Sequence, residues 1–258
     1  KKADVMPYPI QWLLSLFFIF QMYVAMTIIG LIFTPLAVFD RKFAFIAIHV
    51  WCHWVRKSAH VICGLKSEVR GIVPTDEVIV ASKHQSFFDI ILIVSALPRP
   101  KFIMKKSLEK MPIVSFYAER CGCIGVDRGK RGQAIKKMVA DVKAGNIRPG
   151  QLIIFPQGTR IAPGVKADYK VGTGVLYKEL GQDCVPAATN VGVFWKRQGI
   201  YRGRGTAVVE FLPRIEAGRG LKVFMQDLET SVETASNQLM IDAGFEISAD
   251  QLPPATPE

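Results

Sequence analysis

The longest apolar run of the chain lies at its N-terminal end, where no charged side chain occurs from Val5 to Phe39. This run predicts one helix from Pro9 to Phe39, which Pro35 bends near its end. The helix would be ~45 Å long, whereas the hydrocarbon core of a bilayer is ~30 Å thick. An uncharged run well above ~18 residues is typical of a membrane helix. No small-residue cleavage site follows it, so we expect no signal peptide. Because the chain begins with Lys1, we expect the native start to be missing.

A second helix is predicted from about Phe43 to Cys63, after a polar turn at 40–42. Its polar residues recur at steps of three, four or seven and form one stripe opposite an apolar stripe. The polar stripe consists of Lys42, His49, His53, Arg56 and His60, and the apolar stripe of Phe45, Ile48, Trp51, Val55 and Ile62. This pattern is typical of an amphipathic helix at a membrane interface, anchored here by Trp51 and Trp54. The two helices either cross the bilayer or form a hairpin in one leaflet. The charged flanks on both sides favour the hairpin.

From Lys66 onward, short apolar runs typical of strands alternate with helical patterns. The predicted strands are Val78–Ser82, Lys101–Met104, Ile124–Val126, Gln151–Phe155, Cys184–Phe194 and Thr206–Leu212. The predicted helices are Ser86–Leu97, Val114–Arg120, Lys130–Ala144, Gly172–Leu180 and Val223–Ala243. This alternation predicts an α/β fold with a mixed, largely parallel sheet flanked by helices. We divide the chain into a membrane-associated two-helix segment, residues 1–64, and a catalytic domain, residues 65–258.

The charge of the chain is unevenly distributed. The net charge is +11, and residues 226–258 hold seven acidic side chains but no Lys or Arg. A basic body next to an apolar segment is typical of a protein that binds the anionic surface of a lipid bilayer, and it also fits acidic soluble partners. Nucleic acid is not expected, because no nucleic-acid motif occurs and the apolar N-terminus would then have no role.

The five cysteines are odd in number and irregularly spaced, which indicates a reducing compartment and no zinc site. Cys121 and Cys123 are too close for a relaxed disulfide and are expected to pack beside a strand. His49 and His53 with Cys52 could bind a metal, but we favour titratable groups at the level of the lipid headgroups.

His84 and Asp89 are the candidate catalytic pair, at the junction of a predicted strand and a predicted helix. Ser86 and Asp89 also have the spacing of a helix capping box, which is the structural interpretation of both residues. The two interpretations are compatible. A carboxylate in the first helical turn can orient a histidine from the preceding loop, which then acts as a base at neutral pH. Ser86 is a poor nucleophile candidate because a capping serine uses its oxygen on backbone N–H groups.

Basic residues follow several predicted strands. Arg160 ends the segment Phe-Pro-Gln-Gly-Thr-Arg, where Pro and Gly predict a turn at the carboxyl end of a strand. Its guanidinium can bind a phosphate in a bidentate manner. Lys105 and Arg128 also follow predicted strands. Each of these residues alone is typical of a solvated surface, but together, beside the His84–Asp89 pair, they indicate an anion site.

Four segments together resemble the lysophosphatidic acid acyltransferase family. They are Lys83–Asp89, Lys105–Pro112 followed by Gly125–Arg128, Phe155–Arg160, and Val185–Ala188. They occur in the family's order and span about residues 66–215. Each block alone is a weak signal, whereas the ordered set is specific.

The resemblance implies transfer of an acyl chain from acyl-CoA or acyl-carrier protein to the sn-2 hydroxyl of lysophosphatidic acid. It implies that His84 is the base, that Asp89 orients it, and that the phosphate is bound by Lys105, Arg160 and, more weakly, Arg128. The residues that it assigns to the acceptor pocket are Phe155, Pro156, Gln157, Gly158, Thr159 and Pro186. No cofactor or metal is implied. The N-terminal helices resemble the family's membrane hairpin, which implies a location at the inner membrane with the catalytic domain on the cytoplasmic side.

Three positions depart from the family's pattern. Lys83 stands where Asn is more common, Gln157 stands where Glu is usual, and Ser115 stands where Gly often follows Pro112. The loss of a charge at Gln157 leaves its electrostatic role open. Two other functions also remain open: acylation of a different lysolipid, including one without phosphate, and a non-catalytic lipid-binding module. Arg160 would matter less for a phosphate-free acceptor, and a non-catalytic module would not need the complete His84–Asp89 pair.

Overall fold

The computed structural model describes residues 6–105, 110, 112–126, 136, 139–140 and 149–247. Its helices are α1 (Tyr8–Phe39), α2 (Lys42–Cys63), α3 (Phe87–Ala96), α4 (Pro112–Arg120), α5 (Gly172–Leu180), α6 (Val191–Phe194) and α7 (Leu221–Asp242). Its strands are β1 (Leu65–Gly71), β2 (Ile79–Ser82), β3 (Pro100–Lys105), β4 (Ile124–Val126), β5 (Gln151–Ile154), β6 (Cys184–Thr189) and β7 (Gly205–Phe211). The helix predicted at Lys130–Ala144 falls largely outside the described residues.

The described strands form a seven-stranded sheet in the order β1-β7-β6-β2-β5-β3-β4. Each neighbouring pair is parallel except β6 and β7, which are antiparallel. The central strands β2, β5 and β6 are buried along their whole length, as parallel strands covered by helices are. The predicted fold class is therefore confirmed. Because β2 and β5 are parallel neighbours, the segments that follow them leave the sheet side by side at one edge.

Helices α1 and α2 form an antiparallel hairpin. Gln11, near the start of α1, donates from Nε2 to the carbonyl of Cys63 at the end of α2, at 2.9 Å. Further along the hairpin, Trp51 Nε1 donates to the carbonyl of Met22 at 3.2 Å. Helix α1 is the one described helix that is long and apolar enough to cross a membrane, with a mean hydropathy of 2.3 in its most apolar window. Only 17% of that window is buried. Most of α1 therefore presents apolar side chains at the protein surface.

The hairpin lies along the rest of the protein rather than projecting from it. At one end, Gln11 Nε2 also donates to the carbonyl of Arg202 at 2.7 Å. Nearer the tip, Tyr117 on α4 donates its hydroxyl to the carbonyl of Gly30 at 2.9 Å. Beyond that, Ala37 of α1 packs in one apolar cluster with Tyr117. Contacts with the body thus extend over most of the length of α1.

The polar stripe of α2 does not face a membrane along its whole length. His49 Nε2 lies 2.8 Å from the carbonyl of Leu97. Arg56 donates to the hydroxyls of Ser67 and Ser95, both at 2.9 Å. The interfacial prediction is therefore wrong for His49 and Arg56. The reason is that α2 packs between α1 and α3, so these side chains satisfy polar groups of the body.

Two elements differ from the prediction. Strand β1 was not predicted, because its apolar positions alternate with three charged residues and its partner β7 lies far along the chain. The strand predicted over Cys184–Phe194 ends at Thr189 and is followed by α6. There, Thr189 Oγ1 accepts from the backbone N–H of Val191 at 3.1 Å, and Asn190 Oδ1 accepts from that of Val208 at 2.7 Å. Polar side chains thus replace the partner strand and end the ladder.

Candidate active site

His84 and Asp89 are in direct contact at the junction of β2 and α3. His84 Nδ1 lies 2.9 Å from Asp89 Oδ1. Asp89 is fully buried, whereas the side chain of His84 is 11% exposed. Because an ionised carboxylate can only accept, the contact places a proton on Nδ1. The other ring nitrogen, Nε2, has no hydrogen-bond partner among the described residues and can accept a proton.

Asp89 also caps helix α3, so the structural interpretation of its position is confirmed and the same geometry is compatible with the functional one. Its Oδ2 accepts from the backbone N–H groups of Gln85 and Ser86, each at 2.8 Å. Ser86 is the N-cap, and its Oγ accepts from the backbone N–H of Phe88 at 3.3 Å. One oxygen of the carboxylate therefore holds the helix and the other holds His84. Ser86 is fully buried in this role, which argues against it as a nucleophile.

The turn after β5 packs directly against the histidine. The ring of Phe155 stacks on that of His84 with centroids 3.9 Å apart and an interplanar angle of 18°. The backbone N–H of Gly158 donates to the carbonyl of Phe155 at 2.8 Å and closes the turn. Gly158 has a φ of 72°, a backbone conformation that residues with a Cβ rarely adopt. This turn brings Arg160 to the same side of the sheet as His84.

Arg160 is paired with a residue that the sequence analysis did not identify. Arg197 Nη1 donates to the carbonyl of Arg160 at 3.2 Å, and Arg160 Nη1 donates to that of Arg197 at 3.5 Å. Each guanidinium group therefore lies beside the backbone of the other arginine, and both residues line the same pocket. Arg197 is in the segment after α6, and no local motif marks it. Lys170, from the segment before α5, lines the same pocket.

A pocket of about 900 Å³ connects these groups with the hairpin. Its polar part is lined by His84, Thr159, Arg160, Lys170 and Arg197. Its apolar part lies between α1, α2, α3 and α4. Representative residues of the apolar part are Met26, Ile29, Ile48, Trp51, Ile90 and Tyr117. One cavity thus joins a base and a cluster of cations to a long apolar space.

The other predicted site residues fall into two groups. Phe155, Pro156 and Gly158 line the pocket. Gln157 and Pro186 are buried and do not line it. Pro186 instead pairs with Ala81 inside the sheet. The side chain of Lys105 and the whole of Arg128 lie outside the part of the chain that the structure describes.

A buried ionic network lies behind the pocket. Lys83, which is 1% exposed, places its Nζ 2.5 Å from Oε2 of Glu233 on α7. Burial and the nearby Glu233 raise the pKa of Tyr169 well above its ordinary value. Burial, together with the charge of Glu233, also raises the pKa of Glu229. Glu233 lies on the last described helix, 150 positions from Lys83, so no local sequence motif contains both residues.

The cysteines are free thiols. Burial raises the pKa of Cys123 to about 11 and that of Cys184 to about 12, so both are protonated at neutral pH and poor nucleophiles. Within the described ranges, no cluster of His, Cys, Asp and Glu has the arrangement of a metal site.

Comparison with known proteins links this geometry to one kind of enzyme. A family model described as Acyltransferase matches residues 66–190. A 1-acyl-sn-glycerol-3-phosphate acyltransferase from Pseudomonas aeruginosa is 25% identical over 185 residues, covering 71% of this chain and 72% of that protein. The 1-acyl-sn-glycerol-3-phosphate acyltransferase alpha of Mus musculus is 26% identical over 163 residues, covering 61% and 57%. The crystal structure of the 1-acyl-sn-glycerophosphate acyltransferase PlsC from Thermotoga maritima has the same fold, with a TM-score of 0.76 at 20% identity, covering 91% of this chain and 99% of that one.

Proposed function

We propose that this chain, whose sequence and fold resemble the 1-acyl-sn-glycerol-3-phosphate acyltransferase family, acylates the sn-2 hydroxyl of lysophosphatidic acid and forms phosphatidic acid. The observation that carries the proposal is one continuous pocket. It contains a carboxylate-oriented histidine, a pair of arginines and an apolar space between helices. These parts match the hydroxyl, the phosphate and the acyl chain of the reactants.

In the proposed reaction, His84 is the general base. Asp89 accepts a hydrogen bond from Nδ1–H of His84, so Nε2 is free to take the proton of the sn-2 hydroxyl. The resulting alkoxide attacks the thioester carbon of the donor, and the buried carboxylate stabilises the imidazolium that forms. Collapse of the tetrahedral intermediate breaks the carbon–sulfur bond, and His84 returns the proton to the leaving thiolate. General-base catalysis of this kind contributes about 10²- to 10⁴-fold in rate.

The cation cluster would bind the acceptor's phosphate. Arg160 and Arg197 hold each other through backbone carbonyls, which restricts both side chains and leaves other guanidinium N–H groups to the pocket. Lys170 adds a third positive charge to the lining of the same pocket. A planar guanidinium group can donate two parallel hydrogen bonds to two oxygens of one phosphate. Lys105 and Arg128 remain candidates by family resemblance.

The apolar part of the pocket would hold a fatty acyl chain. It runs from Phe87 and Ile90 on α3 towards Tyr117 on α4 and Gly30 on α1. Each buried methylene contributes about 0.8 kcal/mol, so even a partly inserted chain binds strongly. The donor would be an acyl thioester, either acyl-CoA or acyl-carrier protein.

The N-terminal hairpin would place the site at a membrane surface. We propose that it lies in one leaflet, because α1 contacts the body from Gln11 to Ala37. That stretch is ~39 Å long and exceeds the ~30 Å hydrocarbon core, so a crossing helix could not keep these contacts. The outer face of α1 is apolar, as in Leu13 and Phe20, which are 60% and 65% exposed. The body would lie on the cytoplasmic side of the inner membrane.

The test is turnover by purified protein in lipid vesicles. Release of free thiol from acyl-CoA and from acyl-carrier protein is measured with lysophosphatidic acid and, separately, with a phosphate-free lysolipid. We expect activity with lysophosphatidic acid that folded His84→Ala protein lacks. Substantial activity of His84→Ala would contradict the general-base role. Equal use of both acceptors would contradict the proposed acceptor class, and absence of thioester turnover would favour a lipid-binding module.

A further inference from the structure

Lys83 is a buried cation immediately before the proposed base. Its Nζ lies 2.5 Å from Oε2 of Glu233, and the two side chains are 2% and 20% exposed. An ammonium ion at this depth is strongly unfavourable unless a carboxylate neutralises it. The ion pair therefore links α7, which carries Glu233, to the loop that carries Lys83 and His84.

The second oxygen of Glu233 reaches two further segments. Its Oε1 accepts from the hydroxyl of Tyr169 at 3.0 Å and from Gln157 Nε2 at 3.5 Å. The backbone N–H of Lys170 donates to the carbonyl of Pro156 at 2.8 Å, which ties these two segments to each other. Glu233 thus contacts three separate parts of the chain with one carboxylate.

Each of the three partners of Glu233 is followed in the chain by a residue that lines the pocket. These residues are His84, Gly158 and Lys170. The carboxylate of Glu233 therefore lies directly behind three walls of the site. A displacement of any wall by about 1 Å can lower an enzymatic rate about 100-fold, because the reacting atoms must be held in near-attack geometry.

We propose that Glu233 is a positioning residue that holds the His84 loop, the turn at 155–160 and the segment before α5 in register. The inference rests on the proposed roles of His84 and Arg160. It also gives a reason for Gln157. A glutamate at this position would place a second carboxylate beside Glu233, whereas the amide donates to it. The charge absent from Gln157 is thus supplied by a helix outside the matched family region.

The experiment compares four variants in vesicles: Glu233→Gln, Lys83→Met, the double variant Lys83→Met/Glu233→Gln, and Asp227→Asn as a matched control. Asp227 is a carboxylate on the same helix, in an exposed pair with Arg219. Melting temperature, kcat and the acceptor KM are measured for each. The double variant removes both charges and leaves no unpaired buried ion, so it should melt closer to the unmodified protein than either single variant does.

We expect Glu233→Gln to lower kcat/KM about 100-fold through both a lower kcat and a higher acceptor KM. The double variant should recover stability but not activity, because the connection between α7 and the pocket walls stays broken. Asp227→Asn should be unchanged. Recovery of activity together with stability would overturn the inference, since the pair would then only neutralise charge. Unchanged kinetics of Glu233→Gln would also overturn it. So would a fold-loss of kcat/KM in the double variant that equals the product of the two single-variant losses, because the two residues would then act independently.

His84→Ala in the same preparation separates this inference from the proposed function. If His84→Ala is active, the general-base assignment fails whatever Glu233 does. If His84→Ala is inactive and Glu233→Gln is normal, only the positioning role fails. If Glu233→Gln does not fold, the kinetics of the double variant alone decide, because it lacks the unpaired ammonium: reduced kcat/KM in a stable protein supports the role, and normal kcat/KM overturns it.

Discussion

Replacing Asp89 by asparagine tests the proposed dyad, because it removes one charge and hardly changes the side chain's size. In the structure, Oδ1 meets His84, while Oδ2 accepts from the backbone N–H groups of Gln85 and Ser86. Asparagine has one acceptor oxygen and cannot serve both sides. If that oxygen faces the two N–H groups, its NH₂ faces His84 Nδ1. The imidazole proton then moves to Nε2, which can no longer act as the base.

The expected loss of activity is large and the loss of stability moderate. In a Ser-His-Asp triad the same substitution lowers kcat about 10⁴-fold, and we expect a loss of about 10³- to 10⁴-fold for Asp89→Asn. Two hydrogen bonds change from a charged to a neutral acceptor, at about 1 kcal/mol each, or about 2 kcal/mol in total. For a domain of this size, that corresponds to a melting temperature lower by about 4–8 °C.

The assay is thiol release at saturating donor and acceptor in vesicles, with melting measured on the same sample. Asp76→Asn is the control, because Asp76 pairs with Arg214 at the surface and is 52% exposed. Its activity should stay within about twofold, as for most surface substitutions. An Asp89→Asn protein that is folded and retains more than a tenth of the activity would refute the orienting role. A loss that only follows the unfolded fraction would show that Asp89 acts as a helix cap alone.

Two further predictions concern substrate binding and topology. Arg160→Ala and Arg197→Ala should each raise the acceptor KM about 10- to 100-fold, because each removes about one charge-assisted hydrogen bond to the phosphate. The donor KM should stay nearly unchanged. Equal effects on the KM of both substrates would indicate a structural role instead. If the hairpin lies in one leaflet, cysteines introduced at Ala3 and Ser67 should react alike with an impermeant thiol reagent in oriented vesicles, after the native cysteines are replaced. Opposite accessibility of the two sites would mean that residues 1–64 cross the membrane.

Much of the site could be predicted from sequence because its key contacts are local. His84, Ser86 and Asp89 lie within one loop and one helical turn, so their spacing alone brings them together. The turn that presents Arg160 is likewise encoded locally, by Pro156 and Gly158 on either side of Gln157. The two sets of contacts of Asp89, with the backbone N–H groups that it caps and with His84, arise within the same short segment.

Other features could not be predicted, because they join residues far apart in the chain. Glu233 is 150 positions from Lys83, and Arg197 is 37 from Arg160. Neither lies in a repeating pattern or a motif that would indicate its partner. Strand β1 escaped detection for the same reason, since its partner β7 lies far along the chain.

The sequence by itself determined the alternation of strands and helices, the apolar N-terminal segment and the proximity of His84 and Asp89. These properties depend on periodicity and on neighbours a few residues apart, which a linear pattern records. The tertiary structure alone decided that α1 lies along the body, with Gly30 and Ala37 against α4, and that Glu233 stands behind three walls of the pocket. Such arrangements arise when separate elements bury their faces together, and the contacts exist only after the chain has folded.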